Sequence, residues 1–371
     1  MTDAPVPLND LQRHMAPFSA DLRRIIGEVL DEARYVLGPW VERFENAFAG
    51  YCGVAHAVGV ANGSDALELA LRALDCGAGD DIVTVANAGG YATAAILHAG
   101  ATPVYADIDP YTLLITPDTL QQAITPATKA VIVTHLYGLM ADMPALNAFA
   151  AARGIAVIED CAQAHGASIG GRKAGAWGAL GCFSFYPSKN LGGIGDAGCV
   201  TTHDARLAEC LRSLRQHGWQ ETKYHTPCDI GRNSRMDAMQ AAVLAHLLPH
   251  LNGWNDRRRQ LVQRYRAAFS PHVQFQQVGA PESYVAHLCV IRTSDRERLR
   301  QALSHAGIAT DIHYPVADYA QPAVIRRIGV RPALPVTENI VTEILTLPCF
   351  PEMTGEETRR VIATLQQHIA P

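Results

Sequence analysis

The sequence predicts an α/β chain: a large domain built on a mostly parallel sheet flanked by helices, followed by a smaller α+β domain. Three observations carry this. From residue 56 short apolar runs alternate with amphipathic segments, the strand–helix rhythm of a doubly wound sheet. The runs are apolar throughout, not at every second residue, as strands covered on both faces require. After residue 205 the pattern turns helical, and from about residue 270 strands and helices mix again. The division follows as 1–250 for the large domain, with its N-terminal helical segment, and 251–371 for the small one.

Taken in order, "SADLRRIIGEVLDEARYVLGPWVERFENAFAGYCG" carries two helical patterns broken at "LGP". The strand–helix pairs are "HAVGVA" with "SDALELALRAL", "DIVTVA" with "YATAAILHAG", "TPVYADI" with "TPDTLQQAI", and "KAVIVTHL" with "MPALNAFAAARG"; the strand "IAVIED" closes the series. "GALGCFSFYP" and "GCVTTHD" give two further strands. "MDAMQAAVLAHLLPHLNGWNDRRRQLVQRYRAAFS" predicts one long helix bent at Pro249. In the remainder "AHLCVIRT" and "ATDIHYP" are expected as strands, and "DRERLRQALSHAG" and "TGEETRRVIATLQQHIA" as helices.

Composition narrows the class of activity. Hydrophobic residues make up 48% of the 371 and charged residues 18%, a globular balance. The net charge of −5 argues against general nucleic-acid affinity. The cluster Arg257, Arg258, Arg259 is expected on a solvated helix face. Nine cysteines, an odd number with no C-x-x-C pair, argue against a disulfide framework or a zinc ribbon, and no metal site is expected. The N-terminus lacks the charged and apolar regions of a signal peptide, and no apolar run approaches the roughly 20 residues that span a bilayer. A reduced, cytoplasmic setting is the expectation.

Two stretches carry chemistry. In "GCFSFYPSKNLGGIGDAGCV" Lys189 is one of only four lysines, with Lys129, Lys173 and Lys223, and the only one in glycine-rich, strand-flanked surroundings. Upstream, "IAVIED" places Glu159 and Asp160 at the C-terminal end of a strand, the edge where open parallel sheets bind ligands, with Gln163 and His165 following in "CAQAHG". The second stretch is "ANGSDALELALRAL": Ser64 is expected to cap a helix, and Gly63 to let its N-terminus approach an anion. Neither a Walker A lysine nor the dinucleotide glycine fingerprint is present, which argues against a nicotinamide dehydrogenase. An amine, a carboxylate and an anion site together fit pyridoxal 5′-phosphate, which needs a Schiff-base lysine, an acid against its ring nitrogen and a phosphate cradle. Asp160 is the candidate acid, because a nearby negative charge keeps the ring nitrogen protonated.

With these motifs the chain resembles the pyridoxal-phosphate-dependent sugar-nucleotide aminotransferases of the DegT/StrS type. The resemblance runs from "YVLGPWVERFENAFAGYCGVAHAVGVANGSDALELAL" through "VIEDCAQAHGA", "FSFYPSKNLGGIGDAGCV" and "NSRMDAMQAAVL" to "IHYPV". It implies the type I fold of aspartate aminotransferase and a homodimer with shared active sites. It implies Lys189 as Schiff-base lysine and proton shuttle, Asp160 on the ring nitrogen, and Gln163 near the phenolic oxygen. Gly63, Ser64 and Ser184 would hold the phosphate, joined by Asn233 of "GRNSRMDAMQ" acting in the other subunit. The family's stacking aromatic falls at Gly90 in "NAGGYAT", so Tyr91, one step later, is the stacking candidate. His165, Tyr186, His313 and Tyr314 are substrate-side candidates, and His287 is expected to support the fold or the site entrance. The implied reaction is amino transfer from L-glutamate to a nucleotide-linked keto sugar, with a dTDP-3-keto-6-deoxyhexose favoured by "IHYPV" and an amino-sugar pathway such as O-antigen assembly as its setting. Alternatives are a 4-keto sugar, a UDP sugar, an aminocyclitol, or a non-catalytic regulatory relative. Dehydration is disfavoured, because the relatives that dehydrate carry histidine where Lys189 stands.

Overall fold

The computed structural model describes residues 4–220, 224–226, 229–269, 273–329 and 331–369; Lys223 and Cys228 lie outside them. The chain opens with helices α1 (Leu11–Met15), α2 (Ser19–Glu32) and α3 (Pro39–Cys52). Proline at the first position of α3 and left-handed Gly53 at its end are the expected start and stop. The buried face of α3 is Val41, Phe44, Phe48 and Cys52, at helical spacing.

The alternating region forms β1 (His56–Val60), α4 (Gly63–Ala73), β2 (Asp81–Val85), α5 (Tyr91–His98), β3 (Thr102–Ala106), α6 (Pro117–Ala123), β4 (Thr128–Thr134), α7 (Met143–Ala151) and β5 (Ala156–Asp160). A two-residue hairpin follows, β6 (Ser168–Ile169) and β7 (Arg172–Lys173), and then β8 (Leu180–Ser184) and β9 (Gly198–Thr202). The main sheet has the order β1-β9-β8-β5-β4-β2-β3. Only β9 runs against its neighbours. The C-terminal ends of β1, β8, β5 and β4 therefore share one edge.

Helices α8 (Ala205–Leu214), α9 (Ala238–Leu247) and α10 (Leu251–Phe269) follow. The long helix expected over Pro249 is two helices joined by a 3₁₀ turn at Leu248–His250, with the proline inside the turn. The C-terminal part adds β10 (Gln274–Phe275), β11 (Cys289–Arg292), α11 (Arg296–His305), α12 (Pro322–Ile328), α13 (Pro335–Glu343), β12 (Ile344–Leu347) and α14 (Gly355–His368). Its sheet has the order β10-β11-β12. The expected strand "ATDIHYP" does not form: Asp311 makes a single bridge to Thr346, and the chain then turns away through His313 and Tyr314. The third strand is instead β12, whose four buried residues follow α13 without a loop. Among the described residues no helix is long and apolar enough to cross a membrane.

Candidate functional site

The shared strand edge opens into a cavity of about 700 Å³. Asp160 ends β5 on its wall and is 7% exposed. Its Oδ1 accepts from the Ala162 N–H at 3.1 Å, and the Thr134 hydroxyl lies 3.5 Å from Oδ2. Burial raises the Asp160 pKa, opposed by the Ala162 N–H and by Lys189. A buried carboxylate with spare acceptor capacity favours a cationic N–H beside it. The neighbouring Glu159 faces the other side of the sheet. It accepts from His135 Nε2 at 3.0 Å and from the N–H groups of Gly175, Trp177 and Gly178 at 3.0, 2.7 and 2.8 Å.

Lys189 lines the same cavity, in the loop after β8, with its backbone N–H bonded to Tyr186 O at 2.8 Å. Burial pulls its amine down to about 8, with Asp160 pulling the other way. At neutral pH roughly a tenth of such an amine is unprotonated, against less than one in a thousand at its ordinary value near 10.4. The site thus holds a nucleophilic amine opposite a buried acid.

The anion cradle differs in one detail from the sequence expectation. The cap of α4 is Asn62, not Ser64: Asn62 is extended, and its Oδ1 accepts from Asp65 N at 2.8 Å. Ser64 falls inside the first turn, exposed, with its hydroxyl on the cavity. Gly63 packs directly on Ser184 of β8: a Cβ added there would stand 2.5 Å from Ser184 Cβ. The free first-turn N–H groups of α4 and the hydroxyls of Ser64 and Ser184 therefore converge, which is the donor set a phosphate requires.

The opposite wall is aromatic. Tyr91 starts α5, is 52% exposed, and meets Tyr314 edge-to-face with centroids 6.2 Å apart. Gly89 admits the Tyr314 ring, since an added Cβ would lie 2.8 Å from it. Gln163 Nε2 donates to Tyr314 Oη at 3.2 Å, while its Oε1 accepts from Tyr137 N at 2.6 Å. Tyr137 Oη donates to the His313 carbonyl, and His313 Nδ1 lies 2.9 Å from Thr346 Oγ1. Burial lowers the His313 pKa, against the pull of Asp311. Tyr186 reaches the cavity from the lysine loop.

Two candidates stand elsewhere. His165 is wholly buried between Phe183 and Phe185, with centroids 5.5 and 5.6 Å away, and burial drives its pKa to about 3. It is a core side chain that does not line the cavity, although the charge of Lys189 reaches it. Asn233 is exposed, bonded to Arg235 Nε at 2.8 Å, and away from this chain's own cavity.

Sequence reasoning missed Arg258. It is 4% exposed and lines the cavity, not the solvated face expected of its cluster. The signal was available: Leu251, Trp254, Asn255, Arg258, Leu261 and Val262 form one buried stripe of α10 at helical spacing. Also unread was the buried frame behind Lys189. Asn190 Nδ2 donates to Asn255 Oδ1 at 2.8 Å and to Val285 O at 3.0 Å, and its Oδ1 faces His287 Nδ1 at 2.9 Å.

A type I α/β fold with a half-buried lysine, a buried acid and a helix-end anion cradle on one strand edge defines a pyridoxal-phosphate enzyme, and the donor set present fits that cofactor. Comparison with known proteins agrees. The model of the DegT/DnrJ/EryC1/StrS aminotransferase family matches residues 19–366. A protein of Acidithiobacillus ferrooxidans described as UDP-N-acetyl-3-dehydro-alpha-D-glucosamine 3-aminotransferase is 42% identical over 98% of this chain and 97% of its own. One of Streptomyces venezuelae, dTDP-3-amino-3,4,6-trideoxy-alpha-D-glucose transaminase, is 40% identical over 98% of this chain and 96% of its own. The crystal structure of S. venezuelae DesV in complex with a ketimine intermediate superposes with a TM-score of 0.95, at 40% identity, covering 99% of each chain. The chain belongs to the DegT/DnrJ/EryC1/StrS aminotransferase family.

Proposed function

We propose that this aminotransferase moves an amino group from L-glutamate to the C3 ketone of a nucleotide-linked sugar, with a dTDP-3-keto-6-deoxyhexose as the first candidate. The carrying observation is the amine of Lys189, held near a pKa of about 8, on one cavity with Asp160 and the α4 N-terminus. When bound, pyridoxal phosphate supplies an aldehyde that condenses with amines and a ring that accepts the electron pair left at the amino carbon. The unbonded first N–H groups of α4, with Ser64 and Ser184, would bind its phosphate. Asp160 holds the proton at its ring nitrogen, a task suited to a buried carboxylate with an unfilled acceptor. Lys189 Nζ would take the proton from the donor's Cα and redeliver it, acting as base and then acid. Gln163 and Tyr314 form one bonded unit on the cavity that would meet the ring's phenolic oxygen, and Tyr91 would offer an exposed ring for stacking.

The C3 position is supported by the two relatives above, both named for 3-amino sugars, while their carriers differ, UDP in one and dTDP in the other. The homodimer is proposed on Asn233, which can serve a phosphate only in another subunit's site. The test is the visible spectrum of the holoenzyme. L-glutamate should bleach the cofactor band, and dTDP- and UDP-linked 3-keto sugars, offered in turn, should restore it at different rates. A band that L-glutamate leaves untouched would remove the transamination reading; faster recovery with a 4-keto sugar would move the ketone.

A further inference from the structure

We infer that Arg258 is the anchor for a carboxylate of the amino-acid donor, a role that rests on the transamination reading above. Arg258 stands on α10 and lines the cavity, its side chain almost wholly buried. Nη1 donates to two main-chain carbonyls, His287 O at 3.3 Å and Cys349 O at 2.5 Å, which aim the group. Nε has no hydrogen-bond partner. Among the described residues no carboxylate lies within salt-bridge distance of it. Glu352, whose charge it feels, is bonded instead to His14 Nδ1 at 2.9 Å.

A buried guanidinium is costly unless an anion meets it, and two neutral carbonyls do not cancel its charge. The contrast within the molecule is direct. Arg215, the other buried arginine, holds Glu45 at 2.6 Å. Arg258 faces a cavity in the place where Arg215 faces an acid.

Among the cavity-lining groups of this chain, the others are already committed or neutral. Lys189 is the reacting amine. His287 and His313 are both pushed down by burial and by nearby cations, so neither is a resident positive charge at neutral pH. The α4 N-terminus is the proposed phosphate cradle. L-glutamate brings two carboxylates, and a guanidinium fork accepts one through paired N–H bonds. The position fits as well: Arg258 grips His287, whose ring meets Asn190, the residue after Lys189. Anchor and nucleophile share one frame.

The test uses the holoenzyme and separates the two half-reactions. Bleaching of the cofactor band is followed against L-glutamate concentration in wild type, Arg258→Gln and Arg258→Lys. Recovery by keto sugar is followed from the amine-loaded form of each. Arg258→Gln should weaken the L-glutamate dependence by about 10- to 100-fold, the effect of one lost charge-assisted contact, and leave the sugar dependence unchanged. Arg258→Lys, which keeps the buried charge and guards against a folding failure, should show a smaller loss in the same half-reaction. Glutarate, a dicarboxylate without an amine, should bind wild type calorimetrically and not Arg258→Gln. Equal losses in both half-reactions, or an unaltered L-glutamate dependence in Arg258→Gln, overturn the inference alone. A wild type that L-glutamate does not bleach overturns the transamination reading and this one with it, and glutarate binding then shows whether the anion site exists at all.

Discussion

Gly63→Ala is the sharpest test of the proposed phosphate cradle. The added Cβ would sit 2.5 Å from Ser184 Cβ, 3.1 Å from Ser184 Cα and 3.2 Å from Ser184 Oγ. Carbon pairs rest at about 3.5–4.0 Å, so the closest contact must open by roughly 1 Å. One of the three atoms is backbone, so no side-chain rotation relieves it. The start of α4 and the end of β8 would move apart, and these are the two elements proposed to share the phosphate. Overpacking of this kind costs about 1–3 kcal/mol, or about 5- to 150-fold if it falls on cofactor affinity. Alanine is otherwise favoured over glycine in a helix by about 1 kcal/mol, so helix propensity pulls the other way. The assay is titration of apoprotein with pyridoxal phosphate, read by visible absorbance, alongside denaturant unfolding. Gly27→Ala is the control: it lies inside α2 with nothing beyond its own helix backbone and chain neighbours within 4 Å of the added Cβ, and should bind normally and gain about 0.5–1 kcal/mol of stability. Wild-type cofactor affinity in Gly63→Ala would refute the cradle.

Lys189→Ala should abolish transamination. In wild type the rate at which apoprotein takes up cofactor should rise with pH and reach half its plateau near 8, because the amine, pulled down to about 8, becomes nucleophilic as pH climbs through that value; a rate still rising beyond pH 10 would show that burial does not lower it. Asn62→Ala should cost about 1 kcal/mol in denaturant unfolding and Asn62→Ser much less, since serine can still accept from Asp65 N; equal losses would contradict the cap. If Asn233 works in the other subunit's site, mixing Lys189→Ala with Asn233→Ala and allowing subunits to exchange should restore about a quarter of wild-type activity, because half the dimers are hybrids with one intact site each. No gain above the sum of the parents would place Asn233 in its own subunit.

Strands were the most legible part of this chain because burial on both faces writes a continuous apolar run. "DIVTV" in β2 has four of its five residues buried, a pattern β1 and β5 repeat. Fine placement was less legible. Serine and asparagine are equivalent as helix caps in composition, and the choice of Asn62 over Ser64 is made by backbone conformation, which residue type does not encode. "ATDIHYP" has a strand's composition but spends its polar groups on the cavity and on one bridge, while "ILTL" is too short to stand out between a helix and a proline. Arg258 was hidden by its flanking arginines, which suggested solvent although the helical period placed it inside.

The pair Glu159–Asp160 shows how one local rule divides structural from functional chemistry. Alternation along β5 sends adjacent carboxylates to opposite faces of the sheet. Glu159 meets three backbone N–H groups and His135, and so pins the loop through Gly175–Gly178. With its acceptors filled it has nothing to offer a ligand. Asp160, one residue on, has a single strong donor in Ala162 N and a cavity in front of it. The sequence "ED" holds no hint of which acid is spent; the pleat decides, and the unfilled acceptor marks the acid left to work. The same accounting sets Arg258 apart from Arg215: in each pair the buried charge that the protein has already satisfied holds the fold, and the one that it has not faces the cavity.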